Sequence, residues 1–297
     1  MLPAAAGLLG GLLLVAVLVP RRLAGASWPV QAPAYALVLW QALGLAGGLL
    51  ALEVLLTLAL APAGRTHQSA VLALPDADLP WWSWVALLCA GALAGRLLSV
   101  LVVSTVRTLT ARRRNRVLVD LVATRNPLLP GTRVVDHDLP LAYCLPGLRP
   151  RVVVSRGVLD LLREDEVRAV LAHEQAHVDQ RHDLVVLPFV ALDATFPRLG
   201  GVQVARREVA LLVEMLADDR AVRTHPRTAL ARALYKVGGA GVPDGALGAG
   251  ADGVLLRAQR LVVPAVQLGR RWRALAVLVT VAVLALPALG LLLPLAG

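Results

Sequence analysis

Charge is scarce in this chain. Asp, Glu, Lys and Arg supply 17% of its 297 residues while 57% are hydrophobic, a balance that excludes a wholly soluble protein and points to membrane spans. Cysteine is nearly absent: Cys89 sits in an apolar run and Cys144 in a more polar segment, so no disulfide framework is encoded. Positive charge is missing ahead of the first apolar run and follows it instead, as Arg21 and Arg22. That is the reverse of a cleavable signal peptide, and the run is expected to be retained with its N-terminus outside. The glycines of Gly245-Ala-Leu-Gly-Ala-Gly250 have no strand leading into them, which excludes a dinucleotide fingerprint.

What the chain does have is four apolar runs, at residues 2–19, 34–61, 81–106 and 273–295, each long enough to cross a bilayer. Trp81, Trp82 and Trp84 open the third, as suits a membrane–water interface. Most of the net charge of +10 is arginine, placed between runs one and two (Arg21, Arg22), after run three (Arg107, Arg112, Arg113, Arg114, Arg116) and before run four (Arg270, Arg271, Arg273). The positive-inside rule puts all three groups in the cytoplasm, leaving both termini outside and residues 107–272 inside. Arg112-Arg113-Arg114 abuts a span, so it reads as a topology and anionic-lipid signal, and no direct nucleic-acid partner is expected.

Glu53 and Arg96 lie within the runs. Their depths differ by about 10 Å at 1.5 Å per residue, so each is expected to find its own polar neighbour or to snorkel. Gly7/Gly11, Gly44/Gly48 and Gly91/Gly95 give a Gly-x-x-x-Gly in each of the first three runs, a pattern of close helix packing.

Residues 107–272 suffice for one compact domain. After a linker helix, residues 132–136 and 151–155 read as strands, with a strand and turn at 141–147 between them. The apolar run Val185–Ala191, broken by Pro188, packs on the domain or rests on the membrane surface. A helix is expected over 203–223, and a loop over the Gly- and Ala-rich residues 238–253.

The stretch that carries chemistry is His173-Glu174-Gln175-Ala176-His177. On a helix, positions i and i+4 lie about 40° apart and roughly 6 Å along the axis, so both imidazoles reach one metal ion. Glu174, about 100° round the helix, stands where a carboxylate can take a proton from the attacking water. Glu164, Asp165 and Glu166 suit the helix N-terminus. A catalytic zinc needs a third protein ligand and an open position. Of Glu208 and Glu214 on the later helix we choose Glu214, because Asp218 follows one turn on along the same face. Asp218 can then accept the free ring N–H of a zinc histidine, a role for which Asp219 competes. His182 lies round the helix from the zinc face and reads as a surface residue.

From about 140 to 235 the residues resemble a known family. Leu145-Pro-Gly, Arg149-Pro-Arg-Val-Val-Val-Ser155, Gly157-Val-Leu, Asp165 to Val178, Asp183 and Glu214-x-x-Ala-Asp218 are similar to the BlaR/MecR-type membrane zinc metallopeptidases. More distantly they are similar to the HtpX-type membrane proteases, whose later Asn-Pro-x-x-Leu corresponds to His225-Pro226 and Leu230. The resemblance implies a gluzincin-like fold. The class expected is a mainly α membrane protein with four transmembrane helices and a cytoplasmic α+β zincin-like metallopeptidase domain containing a small β-sheet. It implies one Zn2+ per chain held by His173, His177 and Glu214, with Glu174 as base and Asp218 behind the ligands. It also implies that the strand around Ala142–Leu145 binds an extended protein or peptide substrate by strand addition. Candidates for stabilising the transition state are His225, Arg220 and Tyr143. In the sensor members a penicillin-binding domain follows the last span and its signal leads to loss of a transcriptional repressor. Here Gly297 follows the fourth run directly, so that sensor and β-lactam recognition are not expected.

The function expected is therefore an integral-membrane zinc endopeptidase in regulated proteolysis, acting on a cytoplasmic or membrane-proximal protein such as a repressor. One alternative is a constitutive HtpX-like quality-control protease. Another is a non-enzymatic receptor or scaffold, against which Glu174 argues, since a structural zinc site closes with a fourth ligand and needs no base.

Overall fold

The computed structural model describes residues 2–64, 66–125, 132–145, 151–239, 251–263 and 268–292. They fall into two compact units: Met1–Val102 with Pro188–Arg206 and Leu268–Gly297, and Val103–Leu187 with Arg207–Gln267.

The first unit holds the apolar helices. Leu2–Leu13 (α1) runs through a π-helical stretch, Leu14–Leu18, into Val19–Ala24 (α2). Pro20 has no N–H to donate to Ala16, and the ladder widens just before it. The Ala16 carbonyl is approached so closely by Gly201 that a Cβ there would lie 2.5 Å from it. After a short turn of helix, Trp28–Gln31 (α3), the second span is Pro33–Leu60 (α4). His67–Ala73 (α5) lies in the following loop, capped by reciprocal bonds between Thr66 and Ser69. The third span opens Trp81–Val122 (α6), in which the expected linker helix continues the span without a break for 16 residues beyond 106. Those extra turns are arginine-rich and polar, and nothing in them breaks a helix.

Among the described residues, four helices are long and apolar enough to cross a membrane: Ala6–Ala24, Pro33–Leu60, Trp81–Leu121 and Arg270–Leu292. The last belongs to the final helix of the chain and packs along α4. There Glu53 is 4% exposed and its two carboxylate oxygens have no hydrogen-bond partner among the described residues. A Cβ on Gly290 would collide with that carboxylate. Arg96 donates to the Ala194 carbonyl at 3.1 Å, so it does find a polar neighbour of its own. Of the Gly-x-x-x-Gly positions, Gly44 packs closely, where a Cβ would lie 3.4 Å from Leu192 and 3.5 Å from Phe189, and Gly11 faces Leu50 at 3.9 Å, whereas a Cβ at Gly7, Gly48, Gly91 or Gly95 would meet nothing within 4 Å.

The second unit contains a four-stranded sheet of Thr124–Arg125 (β1), Thr132–Val135 (β2), Ala142–Leu145 (β3) and Arg151–Ser155 (β4), in the order β1-β2-β4-β3. β2 and β4 are parallel and the outer pairs antiparallel, which leaves β3 at an edge among the described residues. The turn expected at 146–147 lies outside the described residues. Ser155 ends β4 and ties three segments together: its Oγ donates to the Leu139 carbonyl and accepts from the Leu141 and Val158 N–H groups, starting Arg156–Leu161 (α7).

Glu164–Asp179 (α8) follows and packs against β3. Its N-terminus is fixed by Glu166, which is fully buried and accepts from the Arg163 N–H at 2.9 Å, Arg232 at 3.0 Å and Lys236 at 2.6 Å. His182–Thr195 (α9) carries Pro188 within it, so the proline does not break the run as expected. Gly200–Ala221 (α10), Arg227–Gly239 (α11), Ala251–Val262 (α12) and Arg270–Leu292 (α13) complete the order. The glycine-rich loop expected at 238–253 lies outside the described residues over 240–250, and its end at 251–253 is helical. Val167 of α8 and Ala233 of α11 meet in one apolar cluster, Ala169, Leu230 and Leu261 in another. These fasten α8 between the sheet and the later helices.

Candidate metal centre

Two successive turns of α8 each present one histidine, His173 and His177, to the same place. His173 Nε2 and His177 Nε2 lie 3.1 Å apart. From α10, Glu214 brings Oε2 to 3.4 Å from His173 Nε2 and Oε1 to 3.5 Å from His177 Nε2. A tetrahedral centre with bonds of about 2.0–2.1 Å requires donor separations of about 3.3–3.4 Å; each histidine nitrogen has a different Glu214 oxygen near that distance, and with one ligand atom per residue the three donors lie within 4.8 Å of one another. Two imidazole nitrogens and one carboxylate form a donor set that zinc accepts. The residues present fit the metal.

Behind the donors lies a second set of contacts. Asp218, one turn beyond Glu214 on α10, places Oδ1 2.9 Å from His173 Nδ1, out of line with the ring N–H. Arg257 of α12 is 1% exposed. It grips both oxygens of Asp218, at 2.8 and 2.9 Å, and reaches Glu214 Oε2 at 2.9 Å. Asp219 instead pairs with Arg260 at 2.7 Å and takes no part in orienting His173.

The electrostatics follow from this burial. Burial opposes ionisation of Glu214, yet His173 and Arg257 outweigh it and hold the carboxyl down to about 2. Asp218 is likewise held well below the carboxylate range against its burial, chiefly by Arg257. Burial also works against a charged His173, but Asp218 and Glu214 raise it to about 10. Burial first, then His173, pushes His177 down to about 4. Glu174 is raised to about 7, first by burial, although His173 opposes the shift and the Cys144 backbone N–H donates to it. Cys144 itself is pushed up to about 12 by burial and then by Glu174, which leaves it a thiol.

The donors open into a cleft of about 650 Å³, lined by Tyr143 and Cys144 of β3 and by apolar side chains such as Val170, Val213 and Leu234. Of the three candidates for transition-state stabilisation, the structure brings only Tyr143 into the cleft. Arg220 is exposed, two residues past Asp218 and so on the opposite side of α10. His225 sits in the turn after α10, bonded to Thr224 at 2.9 Å. The cation that does line the cleft is Arg257, which the sequence reading missed because it belongs to α12. Glu208, the rejected ligand, does not line the cleft.

His182 is not a surface residue. It is 4% exposed, with its Nδ1 3.0 Å from His177 Nδ1. The expectation assumed that α8 continues. In fact it ends at Asp179, and Arg181, with φ at 49°, turns the chain back.

Residues 108–202 match peptidase family M48. The chain is similar to proteins named protease HtpX homolog. One from Aeropyrum pernix is 44% identical over 72 residues, 23% of this chain and 23% of that protein. One from Methanothermobacter thermautotrophicus is 36% identical over 81 residues, 26% of this chain and 31% of that protein. One from Campylobacter hominis is 30% identical over 92 residues, 28% of this chain and 32% of that protein. No solved structure matches the chain. The chain thus spans about a quarter to a third of the length of these relatives, and the segment similar to peptidase family M48 lies in a chain with four helices, among the described residues, long and apolar enough to cross a membrane.

Proposed function

We propose that the chain is an integral-membrane zinc endopeptidase. The observation that carries this reading is the convergence of His173 Nε2, His177 Nε2 and Glu214 at 3.1 to 3.5 Å, with Glu174 one residue along from His173. The match to peptidase family M48 over the same helix supports it. His173, His177 and Glu214 would hold the metal, and zinc bound there would supply Lewis acidity toward a water and the scissile carbonyl.

The protein's own groups do the rest. Glu174 takes the proton of the attacking water and passes it to the leaving amine, and its raised pKa suits both transfers. Asp218, fixed by Arg257, holds His173. β3 is an edge strand among the described residues and is the strand that an extended peptide would join, next to the Cys144 N–H that donates to Glu174. Tyr143 of β3 lines the cleft, and its hydroxyl is the group we assign as donor to the developing oxyanion.

The arginines flanking the spans support a cytoplasmic catalytic domain with both termini outside. The substrate is then a cytoplasmic or membrane-proximal protein. An HtpX-like role has the named relatives in its favour; a BlaR/MecR-like role, with a repressor as substrate, rests on the motif resemblance. Breadth of cleavage separates the two.

Membranes carrying the wild type or Glu174→Gln provide the test, by zinc content per chain and by comparative proteomics of cleavage products. One zinc in both, with products only from the wild type, is the expected result. Zinc in both without any difference in products means a structural site, and absence of zinc from the wild type overturns the assignment.

A further inference from the structure

The two histidines of the centre are supported differently. His173 has a carboxylate behind it, whereas His177 has a second imidazole, His182, with Nδ1 to Nδ1 at 3.0 Å and the rings 85° apart. His182 Nε2 in turn lies 2.7 Å from Gln180 Oε1. An amide oxygen only accepts, so His182 Nε2 carries the hydrogen, and in the neutral ring Nδ1 is then an acceptor. The hydrogen between the two rings therefore belongs to His177 Nδ1. That leaves the His177 Nε2 lone pair directed at His173 and Glu214.

We propose that His182 is a positioning residue for the metal centre: together with Gln180 it fixes His177 as the Nδ1–H tautomer and presents Nε2 to the metal. The inference rests on the zinc reading above and adds the device that readies its second histidine. The backbone is committed to it. Arg181 is the one non-glycine residue at positive φ among the described residues, and its left-handed turn folds position 182 back against α8. A hydrogen bond from a ligating histidine to an acceptor fixes ring orientation and raises ligand basicity, and its loss typically costs 10- to 100-fold in metal affinity.

The test uses the full-length protein in detergent, titrated with zinc against a chelating indicator, as wild type, His182→Ala, His182→Phe and His182→Asp. Alanine and phenylalanine should each weaken zinc binding by about 10- to 100-fold. Aspartate accepts the same N–H and should recover most of the loss. With 15N-histidine labelling, the zinc-loaded wild type should show His177 protonated at Nδ1. Should His182→Ala fail to fold, the phenylalanine and aspartate variants, which keep a side chain in place, carry the comparison. Wild-type affinity in the phenylalanine variant would mean that the ring only fills space. Aspartate no better than alanine or phenylalanine would equally overturn the proposal, and in both cases a zinc-binding wild type leaves the metal reading intact. A wild type that binds no zinc removes the metal reading itself.

Discussion

The Arg257 guanidinium spans both carboxylate oxygens of Asp218, at 2.8 and 2.9 Å, and both side chains are 1% exposed. A buried pair of this kind contributes little net stability while intact, but removing one partner strands the other charge. Arg257→Met leaves the buried Asp218 and Glu214 carboxylates with His173 but without the guanidinium that offsets their charge. It should destabilise the metal-free protein by about 3–5 kcal/mol, read as a lower thermal midpoint. Adding Asp218→Asn should recover part of that loss, and a single variant that melts like the wild type contradicts the assignment.

Glu174 sets the acid side of the activity profile. A base must be ionised, so cleavage should rise with pH and level off above its pKa, which is about 7 without metal and lower beside a dication. Glu174→Gln should reduce cleavage by about 10²- to 10⁴-fold. Stability moves the other way. The folded carboxyl is raised from its ordinary 4.5 to about 7, so its contribution is present below 4.5 and is lost as pH rises through 7. In metal-free protein Glu174→Gln should therefore melt higher relative to the wild type at pH 8 than at pH 4, and an equal difference at both would count against it.

Glu166 ties the start of α8 to α11 through Arg232 and Lys236. Burial opposes its ionisation, but Lys236, the Arg163 N–H and Arg232 prevail and lower its pKa. Its stabilisation is thus present above the ordinary carboxylate value and lost as pH falls through the lowered folded one. Glu166→Ala should cost about 1–3 kcal/mol at neutral pH. Thermal melts of both proteins should converge in acid.

Gly290 lies where any side chain meets the Glu53 carboxylate. Gly290→Ala should overpack the α4–α13 contact at a cost of about 1–3 kcal/mol. Because one carboxylate is the obstacle, Glu53→Ala in the same chain should relieve most of that cost. Additive losses in the double-mutant cycle would show that the collision is not with Glu53.

The parts of this molecule legible in its sequence are those written in local periodicity. Four spans follow from hydropathy, and His173/His177 and Glu214/Asp218 each share a face because they are four apart on a helix. Where a contact depends on how an element ends, or on a distant one, the signal fails. His182 reads as exposed only if α8 is extended through Arg181. Arg257 meets Asp218 across 39 residues, from a helix whose first turn continues a glycine- and alanine-rich composition. Pro188 reads as a break, yet α9 carries it inside the helix, where the cost of the missing N–H is offset by the packing of its neighbour Phe189, 1% exposed.

The position of β3 at the sheet's edge has a consequence for selection under the proposed activity. A peptide that completes the sheet must give up its own backbone hydrogen bonds before it can reach Glu174, and a stable helix or an internal strand cannot do so without opening. The enzyme would then sample its neighbours by how often a segment comes undone. Local unfolding free energy, which ranges from near zero in frayed segments to the full stability of a core, would rank its substrates ahead of any preference for particular side chains.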